Sequence, residues 1–408
     1  MNVVIVGNGI AGVTAARHVR KANPEATITM VSSETREPYA RTALMYVYMG
    51  VLTREHTWMY EERFWDENRI DRVQDRAHGV DTEAQTVTLG GGPLGYDRLL
   101  IATGSRPNIP PWPGADLKGV QGLYHWADLD RLEASSAGAE RAVVVGGGLI
   151  GVELAEMLTV RGVEVTFLVR DGRYLEPSFS EQESALVADA IRAHGVDLRF
   201  GVEVEALEGA DRVEAVVTTD GDRLPADIVG VGTGVQANID WLGGALEANR
   251  GVLVDAELCT SAPNVWAAGD CAELRDPPPN VKARQPIWYT ARLQGAVAGL
   301  AMAGRPRPYA PGVFFNSAKF FDLEWQTYGQ VSDSGQVSDS GQDWEWSDGS
   351  RSVRIRHRDG AVIGVNGLGV RLRQDVCSQW IAEGWSLEAA RADLEAARFD
   401  AEFTAAIA

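Results

Sequence analysis

The chain has 408 residues, of which 57 are Asp or Glu and 38 are Lys or Arg, so its formal charge at pH 7 is −19. With 45% hydrophobic residues, a chain of this length predicts a folded protein of two to four domains, at about 100–200 residues per domain. Nucleic acid is not an expected partner, because phosphate binding requires a basic surface.

Cysteine spacing and apolar runs exclude further classes of protein. The three cysteines lie far apart without CxxC spacing, which predicts neither a disulfide scaffold nor a metal site. The chain starts with strand-like residues and a glycine turn, so we expect no signal peptide. No apolar run reaches the roughly 18 residues that a membrane span needs. We therefore expect no membrane span and a cytoplasmic location.

A glycine fingerprint lies near the start of the chain. Residues 3–6 predict a buried parallel strand, and residues 11–21 predict a helix. The glycines between and within them are Gly7, Gly9 and Gly12. In such a unit the first glycine makes the turn, the second lets the backbone approach a pyrophosphate, and the third packs helix on strand. A strand at 27–31 is followed by Glu34, whose carboxylate can accept both hydroxyls of an adenosine ribose.

The next elements lead out of this first unit. Glycines and Pro93 at 90–93 predict a hairpin turn between a strand at 85–89 and a strand that begins at Leu99. Four prolines between residues 107 and 113 predict an irregular connection.

A second glycine fingerprint repeats the first pattern. A strand at 142–145 leads into a glycine turn and a helix, and a further strand follows at 164–169. The motif residues are Gly146, Gly148 and Gly151. Two dinucleotide-binding units in one chain suggest an electron relay from one dinucleotide to the other.

The last quarter of the chain predicts a small mixed domain. A helix is predicted from Trp288, and residues 312–408 begin with aromatic, strand-like sequence. A repeated hexapeptide at 331–342 has loop composition. The elements predicted after it are strands at 352–357 and 361–365 and helices at 370–381 and 387–397. Trp325, Trp344 and Trp346 could form a partner-docking surface or belong to the core.

Three further motifs complete a resemblance to the FAD-dependent pyridine nucleotide oxidoreductases, which have two dinucleotide-binding domains. Residues 96–107 resemble the strand and ATGSxP turn of that family, residues 229–234 the end of its second unit, and residues 265–270 its AxGD motif. The resemblance covers about residues 1–310. It implies an α/β fold with two Rossmann-like domains, for FAD and NAD(P)H, and a small α+β C-terminal interface domain.

The resemblance also implies domain bounds and site residues. The expected segments are 1–113 and 244–311 for FAD, 114–243 for NAD(P)H and 312–408 for the interface domain. The residues expected to hold FAD are Gly7, Gly9, Ala11, Gly12, Glu34, Arg41, Ala77, Thr103, Gly104 and Asp270. Those expected at NAD(P)H are Gly146, Gly148, Ile150, Gly151, Val169, Arg170 and Gly232. Trp288 could shield the flavin or be part of the core.

The branch of the family is indicated by residues 28–46. The disulfide reductases of the family need cysteines in this region, and residues 37–46 contain none. The stretch resembles instead the ferredoxin, rubredoxin and nitrite reductase-like branch. That branch often has a lysine where this chain has Tyr46, and the lysine pairs with a glutamate that matches Glu153. We expect Glu153 and Tyr46 near the flavin, either hydrogen-bonded to each other or with Tyr46 as aromatic packing.

The choice between NADP and NAD depends on the end of the strand at 164–169. A carboxylate there would accept the 2′-hydroxyl of NADH, but the chain has Val169 followed by Arg170 and, later, Arg173. Guanidinium groups favour the 2′-phosphate of NADPH. The neighbouring Asp171 leaves NADH open.

The resemblance predicts an FAD-dependent NAD(P)H oxidoreductase that passes electrons to a small redox protein of the rubredoxin or ferredoxin type. Alternatives are a small-molecule acceptor (a quinone, oxygen or a nitrogen oxide) and a redox-sensing flavoprotein without turnover. A homodimer through the C-terminal domain is possible within the family. We expect the six histidines to be surface or core residues, and Cys271 to be a small apolar filler.

The charge composition suggests a halophilic protein. Only four of the 38 basic residues are lysines, and an acidic, lysine-poor surface is tolerated best where screening lengths are short, about 3 Å at 1 M salt. We expect the melting temperature to rise from low salt to molar KCl, and a flat or falling curve would contradict this hypothesis.

Overall fold

The structure is a computed structural model that describes residues 1–332, 341–399 and 407. The chain forms two compact units. The first comprises Met1–Pro107, Tyr124–Leu129 and Val235–Pro311, and the second Asn108–Leu123, Asp130–Gly234 and Gly312–Ala408. The four predicted segments are distributed over these two units, with 312–408 grouped with most of 114–243.

The first part of the chain supplies most strands of the first unit. The strands are β1 (Asn2–Val6), β2 (Thr27–Ser32), β3 (Ile70–Gln74), β4 (Ala77–Asp81), β5 (Thr86–Leu89), β6 (Gly92–Gly95), β7 (Arg98–Ile101) and β8 (Ser105–Pro107). The helices are α1 (Ile10–Ala22), α2 (Leu44–Tyr48) and α3 (Glu62–Glu67), with short 3₁₀ turns at Arg41–Ala43 and Glu55–Thr57.

The central part of the chain contains the second parallel sheet. The strands in this part of the chain are β9 (Val120–Gln121), β10 (Arg141–Val145), β11 (Glu164–Val169), β12 (Asp197–Phe200), β13 (Val204–Glu208), β14 (Ala215–Thr218), β15 (Arg223–Pro225) and β16 (Ile228–Val231). Strands β13, β14 and β15 form a separate antiparallel sheet. The helices are α4 (Trp126–Ser136), α5 (Leu149–Val160) and α6 (Glu181–Ala193).

The last part returns to the first unit and then forms the C-terminal sheet. The strands are β17 (Val235–Ala237), β18 (Val252–Val254), β19 (Val265–Ala267), β20 (Ala272–Leu274), β21 (Phe315–Phe320), β22 (Leu323–Gly329), β23 (Gln342–Ser347), β24 (Ser352–Arg358) and β25 (Ala361–Leu368). The helices are α7 (Trp288–Met302), α8 (Gln374–Ala382), α9 (Leu387–Ala392) and α10 (Leu394–Ala397), with a 3₁₀ turn at Asp240–Leu242.

A parallel sheet with the strand order β19-β7-β1-β2-β3 forms the centre of the first unit. Val3, Val4 and Ile5 of the central strand are fully buried, as parallel strands are when helices cover both faces. Helix α7 lies close against α1 at Gly295. A Cβ at this position would come within 2.3 Å of the Ala11 carbonyl oxygen, so the contact requires glycine.

The second unit repeats this arrangement. Its parallel sheet has the order β12-β11-β10-β16-β9, and Val143, Val144 and Phe167 are buried in it. The predicted α/β class with two Rossmann-type sheets is confirmed.

The hairpin predicted at 90–93 is partly wrong. The turn joins β5 to β6, so Pro93 lies within a strand, and β7 belongs to the parallel sheet. Strand β6 is at the edge of the sheet β4-β5-β6. An edge strand tolerates proline, because its outward N–H needs no partner.

An antiparallel sheet, β21-β22-β25-β24-β23, carries the C-terminal helices. The helix predicted from residue 370 begins at Gln374, because the Leu372 N–H and carbonyl are bonded to Gln326 and Tyr328 of β22. The predicted helix at 387–397 is two short helices that meet at Asp393.

The structure favours a core position for the three candidate docking tryptophans. Trp325 is buried, and Trp344 and Trp346 contact the apolar cluster under the C-terminal sheet. Of the repeat at 331–342, residues 333–340 lie outside the described residues. In the part of the chain that the structure describes, no helix is long and apolar enough to cross a membrane.

Candidate functional site

The first glycine turn connects β1 to α1 with almost no space for side chains. Gly7 has a φ of +115°, and a Cβ there would lie 2.0 Å from the Ala102 carbonyl oxygen. A Cβ on Gly12 would lie 2.1 Å from the carbonyl oxygen of Gly7. In contrast, a Cβ on Gly9 would meet no atom within 4 Å. The turn therefore has no room for a side chain at Gly7 or Gly12, whereas the space next to Gly9 is empty.

The N-terminus of α1 keeps free hydrogen-bond donors at this opening. Its N-cap is Gly9, no side chain of the described residues caps the helix, and no acidic residue lies in its first turn. Helix α6, by comparison, has a complete capping box formed by Ser180 and Glu183. Uncapped N–H groups and the positive end of the helix dipole form a binding site for phosphate, so this turn fits a dinucleotide pyrophosphate.

A cavity in the first unit brings most of the predicted FAD residues together. The predicted residues that line it are Gly7, Gly9, Ala11, Glu34, Arg41, Ala77, Thr103, Gly104 and Asp270. Gly12 is buried within α1 instead. Trp288 is half-buried at the start of α7, where its ring meets Tyr289 edge to face at 5.2 Å. The cavity wall also contains Tyr124 and His125, which were not predicted.

Glu34 is the centre of a polar cluster in this cavity. One carboxylate oxygen accepts from the Tyr39 hydroxyl (2.5 Å) and the Trp126 N–H (2.7 Å). The other accepts from Arg41 Nη1 (2.8 Å) and lies 3.2 Å from His125 Nδ1. Burial by itself would raise the pKa of Glu34, but the hydrogen bond from His125 and the charge of Arg41 lower it to about 2. Glu34 therefore stays ionised and orients Arg41 and His125.

A second new contact joins Tyr124 to Asp270. The Tyr124 hydroxyl donates to Asp270 Oδ2 (2.9 Å) and accepts from the Ser105 N–H (3.0 Å). Burial raises the pKa of Asp270, although the hydrogen bonds from Tyr124 and Ser105 act in the opposite direction. Asp128 holds the segment in place, because its carboxylate accepts the N–H groups of Tyr124 and His125, both at 2.8 Å.

No local pattern marks Tyr124 or His125 as site residues. His125 is 91 positions from Glu34 in sequence, and Tyr124 is 146 positions from Asp270. His125 lines the cavity, and the expectation that the histidines are surface or core residues and not catalytic bases stays a prediction.

The second glycine turn, in the second unit, has the same backbone. Gly146 has a φ of +113°, and a Cβ there would lie 2.5 Å from the Gly232 carbonyl oxygen. A Cβ on Gly151 would lie 2.0 Å from the Gly146 carbonyl oxygen. Helix α5 has Gly148 as its N-cap, and no side chain in the described part of the chain caps it. This turn fits a second pyrophosphate, and half-buried Ile150 lies in the first turn of its helix.

The end of β11 presents an apolar residue and an exposed arginine. Val169 is buried, and its Cγ1 lies 2.7 Å from the position of a Cβ on Gly147. The Arg170 side chain is 75% exposed, with Nε 3.7 Å from Asp171 Oδ1. Arg173 is held elsewhere, since its Nη1 donates to the Phe179 carbonyl. Of the two predicted arginines, Arg170 therefore has the accessible guanidinium.

Helix α5 also carries two carboxylates one turn apart. Burial, and then the charge of Glu156, raise the pKa of Glu153 to about 7. Glu156 accepts a hydrogen bond from Lys319 Nζ at 2.6 Å. Tyr46 lies in α2 of the first unit, and its hydrogen bond with Glu153 stays a prediction.

The three cysteines are free thiols. Cys271 is fully buried, and its Sγ lies 3.4 Å from the carbonyl oxygens of Ile101 and Ala268. Burial raises the pKa values of Cys271, Cys259 and Cys377. Since a thiolate is the reactive form, none of them is activated as a nucleophile, and Cys271 fills space as expected.

Comparison with known proteins identifies similar chains. Residues 1–295 match the family described as pyridine nucleotide-disulphide oxidoreductase. The chain is 32% identical over 323 residues to the NADH-dependent phenylglyoxylate dehydrogenase subunit epsilon of Aromatoleum evansii, which covers 78% of this chain and 76% of that protein. It is 35% identical over 277 residues to the rhodocoxin reductase of Rhodococcus erythropolis, and this match covers 67% of this chain and 65% of that protein. Among solved structures, the covalent putidaredoxin reductase-putidaredoxin complex matches with a TM-score of 0.81 and 25% identity, over 94% of this chain and 98% of that one.

Proposed function

This chain belongs to the pyridine nucleotide-disulphide oxidoreductase family, and from that premise we propose that it passes electrons through FAD to a small electron-carrier protein. It is an FAD-dependent NAD(P)H oxidoreductase of the ferredoxin reductase-like branch. The carrier that we propose is of the ferredoxin or rubredoxin type.

The observation that carries this proposal is the lining of the first-unit cavity. It combines an uncapped glycine turn with Glu34 and Asp270, and none of the described residues that line it is a cysteine. When bound, FAD supplies hydride and electron chemistry. Because no thiol lies there to relay electrons covalently, the electrons leave directly to an external acceptor.

The residues around the two glycine turns have different roles in binding the two dinucleotides. The N–H groups at the start of α1 would bind the pyrophosphate, and Arg41 would supply positive charge that Glu34 holds in place. Asp270 would orient the ribityl chain, and the Tyr124 hydroxyl holds the Asp270 carboxylate in place. In the second unit, the N–H groups at the start of α5 bind the nicotinamide dinucleotide.

Burial and the charge of Glu156 raise the pKa of Glu153 to about 7, so this carboxyl can hold a proton near neutral pH. We place it and Tyr46 near the flavin, as the branch resemblance implies. Trp288 at the start of α7 would then shield the flavin ring.

We propose NADPH as the preferred donor. Buried Val169 provides no carboxylate for a ribose 2′-hydroxyl, and exposed Arg170 provides a guanidinium for a 2′-phosphate. One relative is NADH-dependent by name, so the two donors must be compared directly. A ten-fold faster flavin reduction by NADH would contradict the proposal.

The organisation of the chain completes the proposal. We assign 1–113 and 244–311 to FAD, 114–243 to NAD(P)H and 312–408 to an interface domain that could form a homodimer contact. We also propose that the protein acts in the cytoplasm.

An anaerobic stopped-flow experiment tests the proposed function. The flavin is reduced with NADPH or NADH and then mixed with putidaredoxin, rhodocoxin, a rubredoxin, a quinone or oxygen. We expect rapid reoxidation by at least one carrier protein. Fast turnover with the quinone or oxygen alone would favour a small-molecule acceptor, and a reduced flavin without turnover would favour redox sensing.

A further inference from the structure

Helix α5 of the second unit carries an ion pair in the protein interior. Glu156 is 4% exposed, and its Oε1 accepts a hydrogen bond from Lys319 Nζ of β21 at 2.6 Å. The other carboxylate oxygen, Oε2, has no hydrogen-bond partner among the described residues. A buried pair of this kind adds little stability, because removing two charges from water costs about as much as their attraction returns. Stability alone therefore does not explain why the pair is there.

A second carboxyl lies one helical turn before this pair. Glu153 and Glu156 are three residues apart, which places them on the same side of α5. Glu153 is half-buried, so it reaches the solvent more than Glu156 does. Burial, and then the negative charge of Glu156, raise the pKa of Glu153 to about 7. A change in the charge of the buried pair therefore changes how readily Glu153 gives up its proton.

The described surroundings of α5 are otherwise poor in ionisable groups near Glu153. The parallel strands that pack against α5 contribute no ionisable side chain through residues 142–145, 165–169 and 228–231. Tyr174 faces Glu153, but burial and the charge of Glu153 raise the pKa of Tyr174, so it stays protonated. Glu324 lies near Lys319 and is itself paired with Arg371. The buried pair is therefore the main charged influence on Glu153.

The position of Glu153 on α5 relates it to the nucleotide. Glu153 is five residues beyond the N-cap Gly148, about 7.5 Å along the helix axis. In a dinucleotide whose pyrophosphate lies at this N-terminus, one ribose separates the nicotinamide from the pyrophosphate. The ring is then close enough to interact with a charge on Glu153. Because the oxidised ring is cationic and the reduced ring is neutral, an ionised Glu153 favours the oxidised nucleotide.

We propose that Glu153, Glu156 and Lys319 form a proton-binding site that distinguishes oxidised from reduced nicotinamide nucleotide. This inference rests on the proposed function, in which α5 binds NAD(P)H. Glu153 releases a proton to solvent when NADP⁺ is bound and takes a proton up when the reduced nucleotide is bound. Glu156 and Lys319 are positioning residues that set the pH of this exchange. The summed charge of Glu153 and the ring is then the same in both redox states.

The test measures nucleotide binding as a function of pH in the FAD-containing protein. The probes are NADP⁺ and tetrahydro-NADPH, a reduced analogue that cannot donate hydride. Both carry a 2′-phosphate that titrates near about pH 6, so the ratio of their Kd values cancels that group. The variants are Glu153→Gln, Glu156→Gln and the double variant Glu156→Gln/Lys319→Met. The control is Glu164→Gln, at an exposed position of the same unit and with the same change of charge.

For the wild type, we expect the Kd for NADP⁺ divided by the Kd for the analogue to fall about 10-fold from pH 6 to pH 8.5, with a midpoint near 7. Glu153→Gln should abolish this dependence. Glu156→Gln should move the midpoint about one unit lower, because the charge of Lys319 is then unopposed. The double variant should move the midpoint back up, because that charge is gone. A purely structural defect would not produce shifts in opposite directions.

A wild-type ratio that is constant with pH, although both nucleotides bind, would overturn the proton-binding site and leave the proposed function intact. Equal midpoints in the wild type and Glu156→Gln would overturn the role of Glu156 and Lys319. A shift in Glu164→Gln as large as that in Glu156→Gln would overturn it as well, because any lost carboxylate would then act alike. If the wild type bound neither nucleotide and neither NADPH nor NADH reduced its flavin, the proposed function itself would be wrong.

Discussion

The two glycine turns have almost the same backbone and different surroundings. Gly7 and Gly146 have φ values of +115° and +113°, and a Cβ on Gly12 or Gly151 would come within 2.1 Å or 2.0 Å of the preceding turn. Among the residues that the structure describes, no side chain caps the start of either helix. This common geometry fits a pyrophosphate, which FAD and NAD(P)H share, and so it cannot distinguish them.

The difference lies where the second strand of each unit ends. In the first unit Glu34 is bonded to four protein groups and stays ionised. In the second unit the end of β11 carries buried Val169 and exposed Arg170. The first site is held by a cross-linked polar cluster, as suits a cofactor that remains bound. The second is open, as suits a substrate that exchanges.

The largest effect is expected from substitutions that disrupt the backbone geometry shared by the two glycine turns. Gly12→Ala should abolish FAD retention, because the new Cβ would collide with the Gly7 carbonyl. Gly151→Ala should retain FAD but slow flavin reduction by NADPH about 100-fold, the cost of misplacing bound groups by an ångström. The measurements are the FAD content of the purified protein and stopped-flow flavin reduction.

Gly79→Ala and Gly172→Ala are the matched controls, because a Cβ at either position meets no atom within 4 Å. The interpretation of the turns would be wrong if Gly12→Ala kept its FAD, if Gly151→Ala lost its FAD, or if Gly151→Ala reduced its flavin at the wild-type rate.

The polar cluster of the first site predicts a pH-dependent stability. The pKa of Glu34 is about 2, against an ordinary value of 4.5, a difference that corresponds to about 3 kcal/mol. Because the pKa is lowered by folding, this stability is present above pH 4.5 and is lost as the pH falls towards 2. Glu34→Gln should therefore lower the urea midpoint of the apoprotein at pH 7, and the deficit should shrink at pH 3.

Glu67→Gln removes an exposed carboxylate of the same unit and should have little effect at either pH. An equal deficit of Glu34→Gln at pH 7 and pH 3 would show that the charge of Glu34 is not what stabilises the cluster.

The second site predicts the opposite pH dependence. The pKa of Glu153 is raised by folding to about 7, so ionising it costs stability as the pH rises from 4.5 through 7, up to about 3 kcal/mol. Glu153→Gln should match the wild type in urea midpoint at pH 4.5 and exceed it at pH 8. Glu164→Gln, at an exposed position of the same unit, should keep the wild-type urea midpoint at both pH values. If the difference in urea midpoint between Glu153→Gln and the wild type were the same at pH 4.5 and pH 8, the raised pKa of Glu153 would be refuted.

The smallest effect concerns the choice of nucleotide. Arg170→Ala should reduce the rate of flavin reduction by NADPH about 10-fold at subsaturating nucleotide, as expected for one lost hydrogen bond to a charged group, and leave NADH almost unchanged. Arg223→Ala serves as the control. If both nucleotides lose equally, Arg170 acts on a part of the dinucleotide that they share.

Much of the fold could be predicted from local pattern. The glycine turns, the parallel strands and the start of α7 at Trp288 are confirmed, because each depends on steric rules that act within a few residues. The errors occur where a distant partner decides. Pro93 is a strand residue only because β6 is an edge strand, and α8 begins at Gln374 because β22 takes the hydrogen bonds of Leu372.

The sequence by itself determined the two dinucleotide turns, since glycine spacing and apolar strands leave the backbone few alternatives. Only the tertiary structure decided how the charges are paired. Glu34 meets His125 across 91 positions, and Glu156 meets Lys319 across 163. Such pairs form because the folded topology brings the residues together in a region with little water, where an unpaired charge is costly. No spacing in the sequence encodes that proximity.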